Sequence, residues 1–88
     1  MDRKDLNKVV SEKLKLIRVE SHYTQGQMAD LIGISKKTLI QVEKERSLLS
    51  WTSTVAVCSL FDHCSTLRSA LQGSPYETVK NITFNESR

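Results

Sequence analysis

Four side chains that donate hydrogen bonds, Lys36, Lys37, Gln41 and Lys44, fall between positions 36 and 44 of the 88-residue chain. A lysine ammonium can donate to guanine O6 and N7 or to a phosphate oxygen, and a glutamine carboxamide can pair with adenine N6 and N7. The chemistry of such a set is recognition of a polyanion and of base edges, with no bond made or broken. A flexible ammonium discriminates less sharply than an arginine fork, so both lysines also suit phosphate. Ile40 reads equally as a contact with a thymine methyl or as a partly buried neighbour of the following helix. Thr38 either binds phosphate or bonds back within its own helix.

To enter a groove these residues must project from a rigid rod, and the sequence from Thr24 to Lys44 predicts one. Apolar residues at Met28, Ala29, Ile32, Ile34, Leu39 and Val42 face inward if one helix ends at Gly33 and another begins after it. Thr24 followed by Gln27 is a capping-box pair, so the first of these helices starts at Thr24 or Gln25. Ala29 suits a close helix crossing, Gly33 the left-handed turn, and Ser35 the cap of a helix over Lys36 to Lys44. Free amides at the first turn, beside Gln25, favour an oxyanion.

At these residues the chain resembles the helix-turn-helix of the lambda-repressor and Cro superfamily, the XRE-like regulators. Counting from Gln25, the family pattern has Gln first, Ala fifth and Gly ninth, with apolar residues fourth, eighth, tenth, fifteenth and eighteenth. Gln25, Ala29, Gly33, Met28, Ile32, Ile34, Leu39 and Val42 match it. The family also sets an Arg late in its first helix against a Glu late in its third, where this chain has Arg18 and Glu43. The resemblance spans about Leu14 to Phe61. It implies an all-α, five-helix DNA-binding domain over residues 1–73 whose helix over 36–44 enters the major groove of double-stranded DNA. It implies base contacts from Lys36, Lys37, Ile40 and Gln41, backbone contacts from Thr24, Gln25, Ser35, Thr38, Lys44 and Arg46, and a structural ion pair of Arg18 with Glu43. Gln25 would clamp the reading helix on the phosphate backbone, or else act as an ordinary capping amide. One departure stands out. The pattern places Gly two residues after the helix-three Glu, and this chain has Glu45, which predicts a longer or differently turned exit and sets a carboxylate near the expected phosphates.

Elsewhere the pattern is simpler. Met1 to Lys4 is polar and read as frayed; Leu6, Val9, Val10, Leu14 and Ile17 predict a first helix from Leu6 to Ser21. Its charged face, with Arg3, Lys4, Lys8, Lys13 and Lys15, suits a phosphate backbone or plain solvent. His22 is a turn residue, and Tyr23 packs. Ser50 caps a fourth helix over Trp51 to Phe61 whose Val55, Leu60 and Phe61 complete the core, with Trp51 a packing residue. Ser65 caps a fifth helix, Thr66 to Gln72, stopped by Gly73. In the extension 74–88, a Ser-Pro-x-Glu start favours a helix while the following strand formers favour a strand; Tyr76, Val79, Ile82 and Phe84 are expected to cover the core or pair with a second copy.

Composition sets the remaining bounds. At 39% hydrophobic content the chain can bury one modest core, and one Pro with three Gly disfavours a many-turned β fold. A net charge of +3, from thirteen basic and ten acidic residues, is compatible with a polyanionic partner and does not diagnose one. Cys58 and Cys64 are too few and wrongly spaced for a metal knuckle or disulfide scaffold, so neither metal nor cofactor is expected. With no signal peptide or long apolar span, the expected setting is the cytoplasm, without membrane contact. His63 beside Cys64 lacks an orienting third group and an oxyanion motif, so an enzyme is not expected. A regulator of this kind is expected to act as a homodimer on an inverted repeat; an antitoxin-like protein-interaction module is the alternative.

Overall fold

The computed structural model describes residues 1–86, and its regular structure is six helices: α1 (Arg3–Glu20), α2 (Gln25–Ile32), α3 (Lys36–Glu43), α4 (Trp51–Leu60), α5 (Ser65–Leu71) and α6 (Pro75–Glu86). The all-α class expected from the sequence is therefore the class of the described residues. No helix among them is long and apolar enough to cross a membrane.

Helix α1 starts at Arg3, ahead of the expected Leu6, because the polar start is a capping box. The Asp2 carboxylate accepts the Asp5 amide at 2.9 Å, and the Asp5 carboxylate accepts the Asp2 amide at 3.2 Å. Arg3 also lies over the Trp51 ring, 4.8 Å from its centroid, which ties the start of α1 to the head of α4. Leu6, Val10, Leu14 and Ile17 form the buried stripe of α1, against which α3, α4 and α5 pack. The helix stops where His22 takes a left-handed conformation at φ 63°, and the Tyr23 amide returns to the Arg18 carbonyl at 3.2 Å. Tyr23 meets Phe61 edge-on at 6.2 Å between ring centroids while remaining 37% exposed.

In α4 the buried face is Ser53, Thr54, Val57 and Cys58, with Phe61 following. Leu60, expected in the core, is 50% exposed. The run TVAVCSLF is apolar around most of its circumference, so its phase is fixed by the helices it meets and not by its own pattern. Thr54 is fully buried, and its hydroxyl oxygen has no hydrogen-bond partner among the described residues. Thr54→Val is accordingly expected to raise folding stability by about 1 kcal/mol, since it removes an unsatisfied buried hydroxyl at nearly constant shape; a higher urea midpoint at unchanged slope is the readout.

Two carboxylates hold the helices that follow. Glu20, at the end of α1, accepts from the Cys64 thiol at 2.9 Å, the Ser65 amide at 2.9 Å and hydroxyl at 2.8 Å, and the Thr66 amide at 3.3 Å and hydroxyl at 2.8 Å. The cap of α5 thus comes from another helix. The expected Ser65 cap is corrected to Cys64 at the cap position, with Ser65 as the first helical residue. The expected stop at Gly73 comes one residue earlier, where Gln72 turns left-handed at φ 57°. Asp62 does the same for α6, accepting from the Ser74 hydroxyl at 2.7 Å and the Tyr76 amide at 2.9 Å, and it pairs with Arg68 at 3.0 Å. The Ser74 hydroxyl accepts the Glu77 amide at 3.2 Å, the cap read from the sequence. The choice between helix and strand after residue 74 therefore falls to helix, with Val79 and Ile82 buried and Tyr76 and Phe84 exposed. Residues 87 and 88 of the predicted extension lie outside the described residues.

The Glu20 donors, the Cys64 thiol first and then Ser65 and Thr66, hold its carboxyl down at about 2, against an ordinary 4.5. A depressed carboxyl contributes stability that is complete above pH 4.5 and is lost as pH falls through about 2. Glu20→Gln is expected to flatten the pH dependence of unfolding across that window and to lower stability at neutral pH, as read by denaturant titrations at successive pH values.

Candidate nucleic-acid interface

The α2–α3 unit is built by local rules. The Thr24 hydroxyl accepts the Gln27 amide at 3.1 Å, and the Gln27 carboxamide oxygen accepts the Thr24 amide at 2.9 Å. Gly33 turns left-handed at φ 75°, and the Ile34 amide returns to the Ala29 carbonyl at 3.0 Å. A Cβ on Gly33 would meet nothing within 4 Å, so glycine is suited here by backbone conformation and not by crowding. The Ser35 hydroxyl accepts the Thr38 amide at 3.0 Å and donates to the Thr38 hydroxyl at 2.9 Å.

Leu39 and Val42 turn α3 inward, each at most 1% exposed. Lys36, Lys37 and Thr38 then lie exposed at its start, Ile40 and Gln41 are half-buried along it, and Lys44 is exposed at its end. The four candidate base readers therefore share a helix whose inward positions are occupied by others. Ile40, at intermediate burial, keeps both of its readings. Thr24, Ser35 and Arg46 are exposed, and Gln25 is half-buried.

Gln25 has a partner within the protein that neither of its two expected roles included. Its amide nitrogen donates to Glu43 Oε1 at 3.2 Å, joining the start of α2 to the end of α3. Glu43 is also gripped by Arg18, through Nε at 2.7 Å and Nη2 at 3.0 Å, while Arg18 Nη1 donates to the Tyr23 carbonyl at 3.1 Å. The ion pair expected between Arg18 and Glu43 is thus present, with side-chain exposures of 14% and 5%. Burial alone would raise the Glu43 pKa; the hydrogen bonds from Arg18 and Gln25 outweigh it and leave the carboxyl below its ordinary value. The same pairing raises Arg18.

Of the longer or differently turned exit expected after α3, the structure shows no lengthening. Glu45 itself takes the left-handed conformation at φ 61°, and the Arg46 amide binds the Gln41 carbonyl at 2.9 Å, so the turn is tight without a glycine. A non-glycine residue pays roughly 1–2 kcal/mol there. Beyond it, the Leu49 amide donates to the Ser11 hydroxyl at 2.9 Å, and that hydroxyl donates to the Asn7 carbonyl at 2.6 Å. Sequence reasoning passed over Ser11, as it did Glu20: each bonds to residues far along the chain, and no spacing rule links such pairs.

The solvent-facing charges of α3 are one-signed. Neither α2 nor α3 has an acidic residue in its first turn, and Lys36 and Lys37 sit at the positive end of the α3 dipole, where cations are disfavoured until an anion arrives. Glu43 is turned inward to Arg18, which leaves Lys36, Lys37 and Lys44 as the charges on the solvent side of the helix. Glu45 follows immediately, exposed and of opposite sign.

The cysteines offer no comparable arrangement. Burial pushes the Cys58 thiol up to about 12, helped by the Asp62 charge, and it behaves as a small core residue. Cys64 is raised by burial and by its hydrogen bond to Glu20, and His63 is exposed. Among the described residues no three metal-ligating side chains gather. Compared with protein-family models, curated proteins and solved structures, the chain matches none.

Proposed function

We propose that the protein is a sequence-specific double-stranded DNA-binding regulator of the lambda-repressor and Cro type, acting in the cytoplasm as a homodimer on an inverted repeat. The helices α2 and α3 form the helix-turn-helix, and α3 lies in the major groove. The observation that carries this reading is the solvent side of α3: Lys36, Lys37 and Lys44 exposed, no exposed carboxylate among 35–44, and two of the lysines at a helix N-terminus. An α-helix with its side chains is about 10–12 Å across, which the roughly 12 Å wide major groove admits. Lys36, Lys37, Ile40 and Gln41 read bases; Thr24, Gln25, Ser35, Thr38, Lys44 and Arg46 hold the backbone. For Gln25 the bond to Glu43 supports a role in orienting α2 and α3 together, with its second amide hydrogen directed to phosphate. One helix reads few base pairs, each worth roughly 1–3 kcal/mol, so two copies are needed for useful specificity.

A second reading has its own support. Leu60, Tyr76 and Phe84 are 50%, 48% and 62% exposed, which suits an antitoxin-like module that binds another protein. Titrating labelled duplex DNA with the intact chain at several salt concentrations separates the two. A DNA binder loses affinity linearly in log–log form, by about 0.9 per neutralised phosphate. Salt-insensitive or absent binding, with a stable protein partner co-purifying, favours the second reading.

A further inference from the structure

The segment from Glu45 to Ser50 leaves the proposed reading helix and enters α4, and it is fastened at both ends. At the near end the Glu45 and Arg46 amides bind the Val42 and Gln41 carbonyls, at 3.0 and 2.9 Å. At the far end Leu49 is 3% exposed, and its amide is bound by the Ser11 hydroxyl in a buried hydrogen bond. Between these points Arg46, Ser47 and Leu48 are exposed. They form one wall of a cleft of about 480 Å³ whose opposite wall, on α1, includes Lys8, Ser11 and Glu12.

We propose that Ser11 is a positioning residue for the DNA-backbone contacts of this exit segment. By holding the Leu49 amide, it sets the distance between the segment and α1, and so the path on which Arg46 approaches a phosphate after α3. Both functions of the Ser11 hydroxyl are engaged, one toward Asn7 and one toward Leu49, so its geometry is defined from two sides. At 5% exposure it cannot touch DNA itself. Alanine keeps the helix but leaves the Leu49 amide buried without its acceptor, and the segment relaxes from the far end. The proposal rests on the DNA-binding reading above.

The test uses the full chain and a random-sequence duplex across a salt series. Ser11→Ala is expected to reduce the salt slope by about one, the loss of one phosphate contact. The preference of the protein for one sequence over another stays unchanged. In an Arg46→Ala background, Ser11→Ala is expected to have no further effect on the slope; with Arg46 present, Ser11→Thr, which keeps the hydroxyl, is expected to retain the parent slope. If Ser11→Ala loses its helical signal, the same measurements are made on Ser11→Cys, which fills the space with a far weaker acceptor. An unchanged slope in the variant, or a loss that adds in full to that of Arg46→Ala, overturns the proposal while the DNA-binding reading stands. Salt-insensitive binding by the unmodified chain overturns that reading itself.

Discussion

Replacing Arg18 with alanine is expected to lower folding stability by about 3 kcal/mol. The guanidinium delivers two hydrogen bonds to a carboxylate that is only 5% exposed, and its third goes to the Tyr23 carbonyl. Without it, Glu43 keeps the Gln25 amide and little solvent. A buried carboxylate that loses its cation either stays charged at high cost or takes up a proton, so the variant is also expected to gain stability on mild acidification where the parent does not. The sign follows from Glu43, whose carboxyl is depressed in the parent: its contribution is present above the ordinary carboxylate range and fades as pH falls through the lowered value. Replacing both partners by apolar residues, Arg18→Met with Glu43→Leu, is expected to recover most of the loss, because no charge is then left buried. Urea midpoints of the single and double variants make the comparison, and equal losses in all of them would show that the pair acts through packing alone.

Gln41→Ala is expected to weaken binding to a preferred site by about 1–3 kcal/mol while leaving binding to random DNA nearly unchanged. Gln41 is half-buried on α3, and a glutamine carboxamide can both accept from adenine N6 and donate to N7. Lys44→Ala, at an exposed cation one residue beyond α3, is expected to weaken both kinds of binding alike and to lower the salt slope. Competition titrations with specific and random duplexes report the two ratios. If Gln41→Ala acts equally on every sequence, the proposed assignment of base reading is wrong.

How much of this was legible in the sequence follows from the range of each interaction. The caps at Thr24, Ser35, Ser50 and Ser74 were readable because donor and acceptor lie three residues apart. The start of α1 was missed although it obeys the same rule, since an aspartate at the third helical position is a less familiar partner than glutamate or glutamine. Arg18 and Glu43 are separated by 25 positions and were paired through a family resemblance. The links from Ser11 to Leu49 and from Glu20 to residues 64–66 had no such guide, and neither appeared until the helices were assembled. Leu60 was misassigned because an apolar run carries no phase of its own. Of the candidate interface, the exposure of the lysines was predictable from periodicity, while the capture of Gln25 by Glu43 and the left-handed Glu45 depended on tertiary placement.

The central claim is that α3 reads sequence in a DNA groove, and selection of binding sites from a random duplex pool by the intact chain tests it most directly. The expected winner is an inverted repeat with half-sites about one helical turn apart, and its enrichment should fall when Gln41 is replaced by alanine. A pool that emerges with no preferred sequence, retained equally by the parent and the Gln41→Ala variant, would contradict the claim.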